Sequence, residues 1–124
     1  MDEERVEELI DRFGIGEYAG ARVGKLSSGM KQKISIARTI VHDPPVLIFD
    51  EPTVGLDPRE RIRFRNLLSR LARERIVLMS THVVEDVAVA CDRVLVIANG
   101  ELVFDGGTSE LTSSAIGHVW EVRT

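Results

Sequence analysis

The run Val46-Leu47-Ile48-Phe49-Asp50-Glu51-Pro52 constrains the fold of this chain more than any other stretch. Four apolar residues, two of them β-branched, predict a short and fully buried strand. Two carboxylates follow, then a proline that ends any regular pairing. Open α/β sheets build their sites at the carboxyl ends of such strands. Asp50 and Glu51 are neighbours, so their side chains point in different directions. One suits a hydrated Mg²⁺, and the other suits the orientation of a water. On this run alone the plainer alternative stays open: two acids that end a strand in a solvated turn.

A chain of 124 residues supports one domain with one core. Its charge is mixed, with a net of −4 and no sustained Lys/Arg cluster, which argues against a nucleic-acid partner. The single cysteine, Cys91, excludes an internal disulfide and fits a reducing compartment. It reads as a small core residue. No apolar run approaches the length of a membrane span, and Met1-Asp2-Glu3-Glu4 is unlike a signal peptide. A cytoplasmic location is expected.

Periodicity lays out the elements. Val6, Leu9, Ile10 and Phe13 form one stripe of a helix over Asp2 to Phe13, with Asp2 as N-cap and Gly14-Ile15 as its stop. Gly16 to Lys25 is a loop. Within it Gly20-Ala21-Arg22-Val23-Gly24-Lys25 imitates a phosphate-binding loop. It is one residue short between its glycines, Leu26 stands where a Ser or Thr belongs, and no strand precedes it. A second helix opens at Leu26-Ser27-Ser28-Gly29-Met30, capped by Ser27 or Ser28, and runs to about His42. Its stripe is Met30, Ile34, Ala37 and Val41. Its start offers free N–H groups to an anion, or is simply an ordinary serine cap.

Asp57-Pro58 with Glu60 is a strong helix start: N-cap, proline at the first turn, acid three residues on. That helix continues to about Arg73 with Phe64, Leu67, Leu68 and Leu71 inward and an arginine-rich, solvated outer face. Ile76 to Ser80 is a second buried strand, ending at Thr81-His82. A helix with Val84, Val87, Ala88 and Cys91 on one side follows. Asn99-Gly100 between Arg93–Ala98 and Glu101–Phe104 signals a hairpin. Thr108 to Thr112 predicts a short helix and Gly117 to Thr124 the beginning of a strand.

Four of these motifs, in this order, resemble those of ATP-binding cassette (ABC) ATPase domains. Leu26 to Met30 is similar to the signature, with Gln32, Ala37 and Arg38 fitting the helix behind it. Val46 to Glu51 is similar to the Walker B strand with its catalytic glutamate. Gly55-Leu56-Asp57 resembles the D-loop, and Ser80-Thr81-His82 the switch histidine. The resemblance implies an α/β fold: a partial P-loop NTPase (RecA-like) core of parallel strands and helices with a C-terminal β-hairpin. It implies a helical-subdomain tail and linker over residues 1–25, the C-terminal half of the core over 26–112, and an extension over 113–124. Met30 in place of the usual glutamine resembles exporters of drugs or sodium.

The resemblance also implies roles. Asp50 would hold Mg²⁺, Glu51 would orient and deprotonate the attacking water, and His82 would donate to the γ-phosphate. Ser27, Ser28 and Gly29 would meet the ATP of an opposing subunit, although Ser28 adds a Cβ at that contact. Asp57 would touch the partner, or cap its helix, or both. A transmembrane permease subunit and a second ABC ATPase subunit, arranged head to tail, are the implied partners, at the cytoplasmic face of the membrane. The family's Walker A loop is missing from the 124 residues, so this chain alone is expected neither to bind ATP tightly nor to hydrolyse it. Some apolar sheet surface is expected to be exposed or to mediate self-association. Two alternatives stand beside this: a non-catalytic module that docks on a complete subunit, and a DNA-repair or chromosome ATPase of ABC type.

Overall fold

The computed structural model describes residues 3–115. The expected cap at Asp2 and strand from Gly117 lie outside them, as does nearly all of the expected 113–124 extension. The elements are α1 (Glu3–Phe13), α2 (Ser28–Ile40), β1 (Val46–Asp50), α3 (Pro58–Leu71), β2 (Ile76–Ser80), α4 (Val84–Ala90), β3 (Arg93–Ala98), β4 (Glu101–Gly107) and α5 (Thr108–Ala115). Short 3₁₀ turns at Gly16–Tyr18 and Val23–Lys25 give the loop after α1 more structure than its glycines suggest. The chain forms two units, one to Thr81 and one from His82.

In the first unit the stripe of α1 faces inward, with Leu9 and Phe13 buried. The helix ends at Gly14, φ +59°, a left-handed position that glycine takes without a Cβ penalty. There the Ile15 N–H donates to the Ile10 carbonyl at 3.0 Å, and Ile15 itself is buried. Ser27, not Ser28, caps α2: its Oγ accepts from the Met30 N–H at 3.1 Å. The inner row of α2 is Ile36, Ala37 and Ile40, while Met30, Ile34 and Val41 are half-buried. The apolar band is two rows wide, because the core it meets is shared by α1, β1 and α3. α2 stops at Ile40, and Asp43, at φ +51°, leads into the two prolines.

β1 and β2 pair in parallel, from Val46 opposite Ile76 to Asp50 opposite Ser80. The strands are not fully buried as their composition suggests. Leu47 is 1% exposed, but Ile48 is 70% and Ile76 66% exposed. Side chains alternate across a strand, so Leu47, Phe49, Val77 and Met79 meet the core while Val46, Ile48, Ile76 and Leu78 face the other way. The expected exposed sheet surface is this second face. α3 follows the Asp57 cap, buries Phe64, Leu67, Leu68 and Leu71, and ends at Leu71 with Ala72 as C-cap. Its arginine face is not wholly solvated, since Arg65 is buried. Phe49 and Phe64 meet edge to face, with ring centroids 6.4 Å apart.

In the second unit β3 and β4 pair antiparallel around Asn99 (φ +53°) and Gly100 (φ +80°), the backbone that a two-residue primed turn requires. The register shifts between Val96 and Ile97, and β4 runs on to Gly107. Arg93 makes a two-pronged pair with Asp105, both bonds 2.8 Å. That pairing holds the Asp105 carboxyl below the usual carboxylate range. α4 does not bury the expected stripe: Val84 and Ala88 are exposed, Val87 and Cys91 half-buried, and Asp86 is the buried residue. Burial, then the nearby Asp92 and Asp86 charges, push the Cys91 thiol up.

Candidate functional site

The carboxyl end of β1 is organised by its partner strand. Parallel pairing puts Ser80 opposite Asp50, and the Ser80 hydroxyl donates to Asp50 Oδ1. The Glu51 N–H reaches both the Ser80 carbonyl at 3.1 Å and the Ser80 Oγ at 2.9 Å. β2 therefore fixes both acids, one through its side chain and the other through its backbone. In the sequence Ser80 stands at a strand end, in the Ser80-Thr81-His82 motif, with no bond to Asp50 assigned to it. Aligning the two five-residue strands in parallel would have shown its place.

Glu51 sits at φ +45°. Left-handed backbone costs a residue with a Cβ about 1–2 kcal/mol, and such positions gather at functional sites. This turn of the chain separates the two acids: Asp50 continues the strand and Glu51 leaves it. The Val54 N–H closes the turn on the Glu51 carbonyl at 3.3 Å, and Thr53, 1% exposed, anchors it. Gln32 of α2 adds a tie across the fold, its Nε2 donating to the Pro52 carbonyl at 2.8 Å. Its place in the sequence signalled a helix position and nothing of this bond.

Asp57 caps α3, accepting from the Glu60 N–H at 2.8 Å. At the start of α2, Ser27 Oγ accepts from Met30, and Met30 Sδ accepts in return from the Ser27 N–H at 3.4 Å. Methionine thus completes a reciprocal cap usually closed by a glutamate or glutamine. Ser28 is the first helical residue, so its N–H belongs to the unsatisfied donors of the helix end. Gly29 is approached so closely by the Glu60 carboxylate that an added Cβ would overlap it. The first unit thus brings Asp50, Glu51 and Ser80 together. His82 opens the second unit as an exposed residue.

The donors suit a cation that brings its own ligands. Among the described residues no group of three or more His, Cys, Asp or Glu could hold a metal. Mg²⁺ asks for less than that, taking one or two carboxylates plus phosphate oxygens and water. Asp50, exposed and held by Ser80, with Glu51 beside it, fits that donor set.

Two strands in parallel with helices on one face, and acids at their carboxyl ends, define an α/β arrangement in which sites lie at the strand ends. Known proteins narrow the class. Residues 1–54 match the family described as ABC transporter. The "ABC transporter ATP-binding protein NatA" of Bacillus subtilis (strain 168) is 43% identical over 111 residues, 89% of this chain and 45% of that protein. A "Nod factor export ATP-binding protein I" of Burkholderia lata is 42% identical over 113 residues, 90% of this chain and 37% of that protein. The solved structure of cbiO1 from Clostridium perfringens, described as part of the ABC transporter complex cbiONQ, superposes with a TM-score of 0.82 at 33% identity, over 90% of this chain and 45% of that one. These likenesses are to ATP-binding proteins of ABC transporters, and the chain spans less than half the length of these relatives. They do not favour the docking-module or DNA-repair readings.

Proposed function

We propose that this chain supplies the Mg²⁺-binding acid, the catalytic base and the signature of an ABC transporter's ATP-hydrolysing subunit. One observation carries the reading: the register of β1 on β2, which sets Asp50 beside Ser80 and turns Glu51 out of the strand. In this reading Asp50 holds Mg²⁺ through water. Glu51 orients the attacking water and takes its proton. His82 donates to the γ-phosphate as charge moves in the transition state. Ser27, Ser28 and Gly29 grip the phosphate carried by an opposing subunit. When bound, Mg²⁺ neutralises charge on the phosphate oxygens. These roles are positional and electrostatic, which is what phosphoryl transfer demands.

The rest of the reading is supported by the likeness to ABC transporter ATP-binding proteins. Walker A comes from outside these 124 residues, and the chain alone is inactive. Residues 1–25 are a helical-subdomain tail and linker, 26–112 half of an ATPase core, and 113–124 the start of an extension. A second ABC ATPase subunit packs head to tail, with Asp57 at the contact as well as capping α3. A transmembrane permease subunit completes the assembly, at the cytoplasmic face of the membrane. Among the described residues no helix is long and apolar enough to cross a membrane. The face bearing Ile48 and Ile76 is open to self-association. Export is the favoured direction, supported by Met30 and by the name of the Nod factor relatives.

Mn²⁺ in place of Mg²⁺ tests the site. With ATP present, Mn²⁺ is expected to broaden the NMR signals of Asp50, Glu51 and Ser80 well before those of Asp105. Equal broadening at Asp105, or none at Asp50, would overturn the assignment. Calorimetry with Mg-ATP is expected to give no micromolar affinity for the isolated chain, and such an affinity would refute the need for an outside Walker A.

A further inference from the structure

The start of α2 is already occupied by an anion from the chain itself. Glu60 lies in the first turn of α3, thirty-three residues from Ser27. Its Oε1 accepts from Ser27 Oγ at 3.4 Å, and its carboxylate lies over Gly29 so closely that a Cβ there would push it aside. A serine hydroxyl carries one proton to donate. Ser27 Oγ already accepts from Met30, and its proton faces Glu60 across a long contact. The one backbone position without a side chain, where a phosphate could come closest, is the one that Glu60 covers.

We infer that Glu60 is an affinity-determining residue of the signature: its carboxylate is a placeholder that an incoming phosphate must displace. This rests on the proposed function, in which Ser27 and Gly29 meet a nucleotide phosphate. Two anions cannot share one hydroxyl proton and one helix end, because like charges at that spacing repel and each needs the same donor. Displacement needs little movement. Glu60 has three rotatable side-chain bonds, and its backbone stays fixed by the 2.8 Å bond to Asp57. The contact also borders a cavity of about 460 Å³ that Lys33 and Arg63 help to line, so an arriving anion meets cations on the way. The placeholder keeps the signature neutralised in the absence of nucleotide, and it sets a threshold that only a multiply charged phosphate chain passes.

The test follows the Gly29 and Met30 amide signals while tripolyphosphate is added to the whole chain. Glu60→Gln keeps the size of the side chain and removes its charge. It is expected to tighten the apparent affinity about tenfold relative to the unaltered chain. Equal response in both proteins would overturn the placeholder and leave the signature reading intact. No response in either would overturn both. A second measurement does not depend on binding. Gly29→Ala adds a better helix former, and it is expected to stabilise the chain less in the unaltered background than in a Glu60→Ala background, where the carboxylate it must push aside is gone. The same effect in both backgrounds would show that Glu60 does not rest on Gly29.

Discussion

The two units of this chain are held together by different means. In the first, twelve buried apolar residues from α1, α2, β1, α3 and their loops form one cluster, from Leu9 to Leu71. In the second, among the described residues, only Asp86 is buried, and Leu95, Ile97, Leu102 and Val103 are exposed. The first unit is a packed core that happens to carry acids at its edge. The second is a hairpin held by backbone pairing, a left-handed turn and one surface ion pair. The strictly placed residues, Asp50, Glu51 and Ser80, lie where packing fixes the backbone.

The largest difference between the units is expected in the core. Leu47→Ala or Ile40→Ala is expected to cost about 2–5 kcal/mol, because both side chains are fully buried. Leu95→Ala in the hairpin is expected to cost far less. Equal losses in chemical denaturation would remove the distinction. Gly100→Ala comes next. A Cβ at φ +80° costs about 1–2 kcal/mol. The loss is expected in hydrogen exchange of the β3 and β4 amides and not in those of α2. Asp57→Ala, which removes the cap of α3, is expected to cost about 1 kcal/mol of the first unit's stability.

Two smaller effects separate the units further. Ile48→Thr changes a residue that faces away from the core and is expected to move stability by no more than about 0.5 kcal/mol, while reducing self-association in sedimentation. A larger loss would mean that the outer sheet face is packed in solution. Last is the pH dependence of the hairpin. Asp105 binds its proton more weakly when folded than when unfolded, because Arg93 holds its carboxylate. The pair therefore supports the hairpin fully above the ordinary carboxylate value, about pH 4. That support drains away as pH falls through the lower folded value. Asp105→Asn is expected to flatten this dependence in exchange rates of the Arg93 and Asp105 amides.

Much of this was written locally. The strand ends at Asp50 and Ser80, the Asp57 cap, the glycine stop of α1 and the Asn99-Gly100 turn all depend on residues within a few positions of one another. What eluded the sequence depends on distant partners. Ile48 reads as buried, because an apolar residue does not say whether a second layer covers its face. Arg65 reads as solvated, because helix periodicity does not reveal which neighbour closes over it. Glu60 reads as a simple first-turn acid, because its contact with Ser27 exists only once α2 and α3 are packed. Glu51 gives no warning of its left-handed backbone. That conformation is imposed by two bonds to Ser80, and nothing in a glutamate favours it.

The bond from Gln32 to Pro52 ties α2 to the turn after the acids. A proline has no N–H, so its carbonyl is the one backbone handle it offers, and a side chain from the first turns of α2 has taken hold of it at 2.8 Å. The segment just beyond the acids thus hangs from the same rod whose tip bears Ser27 and Gly29. Tilting that rod would drag the far end of the acidic turn with it, and swapping Gln32 for a leucine would cut the tether while leaving each end properly folded.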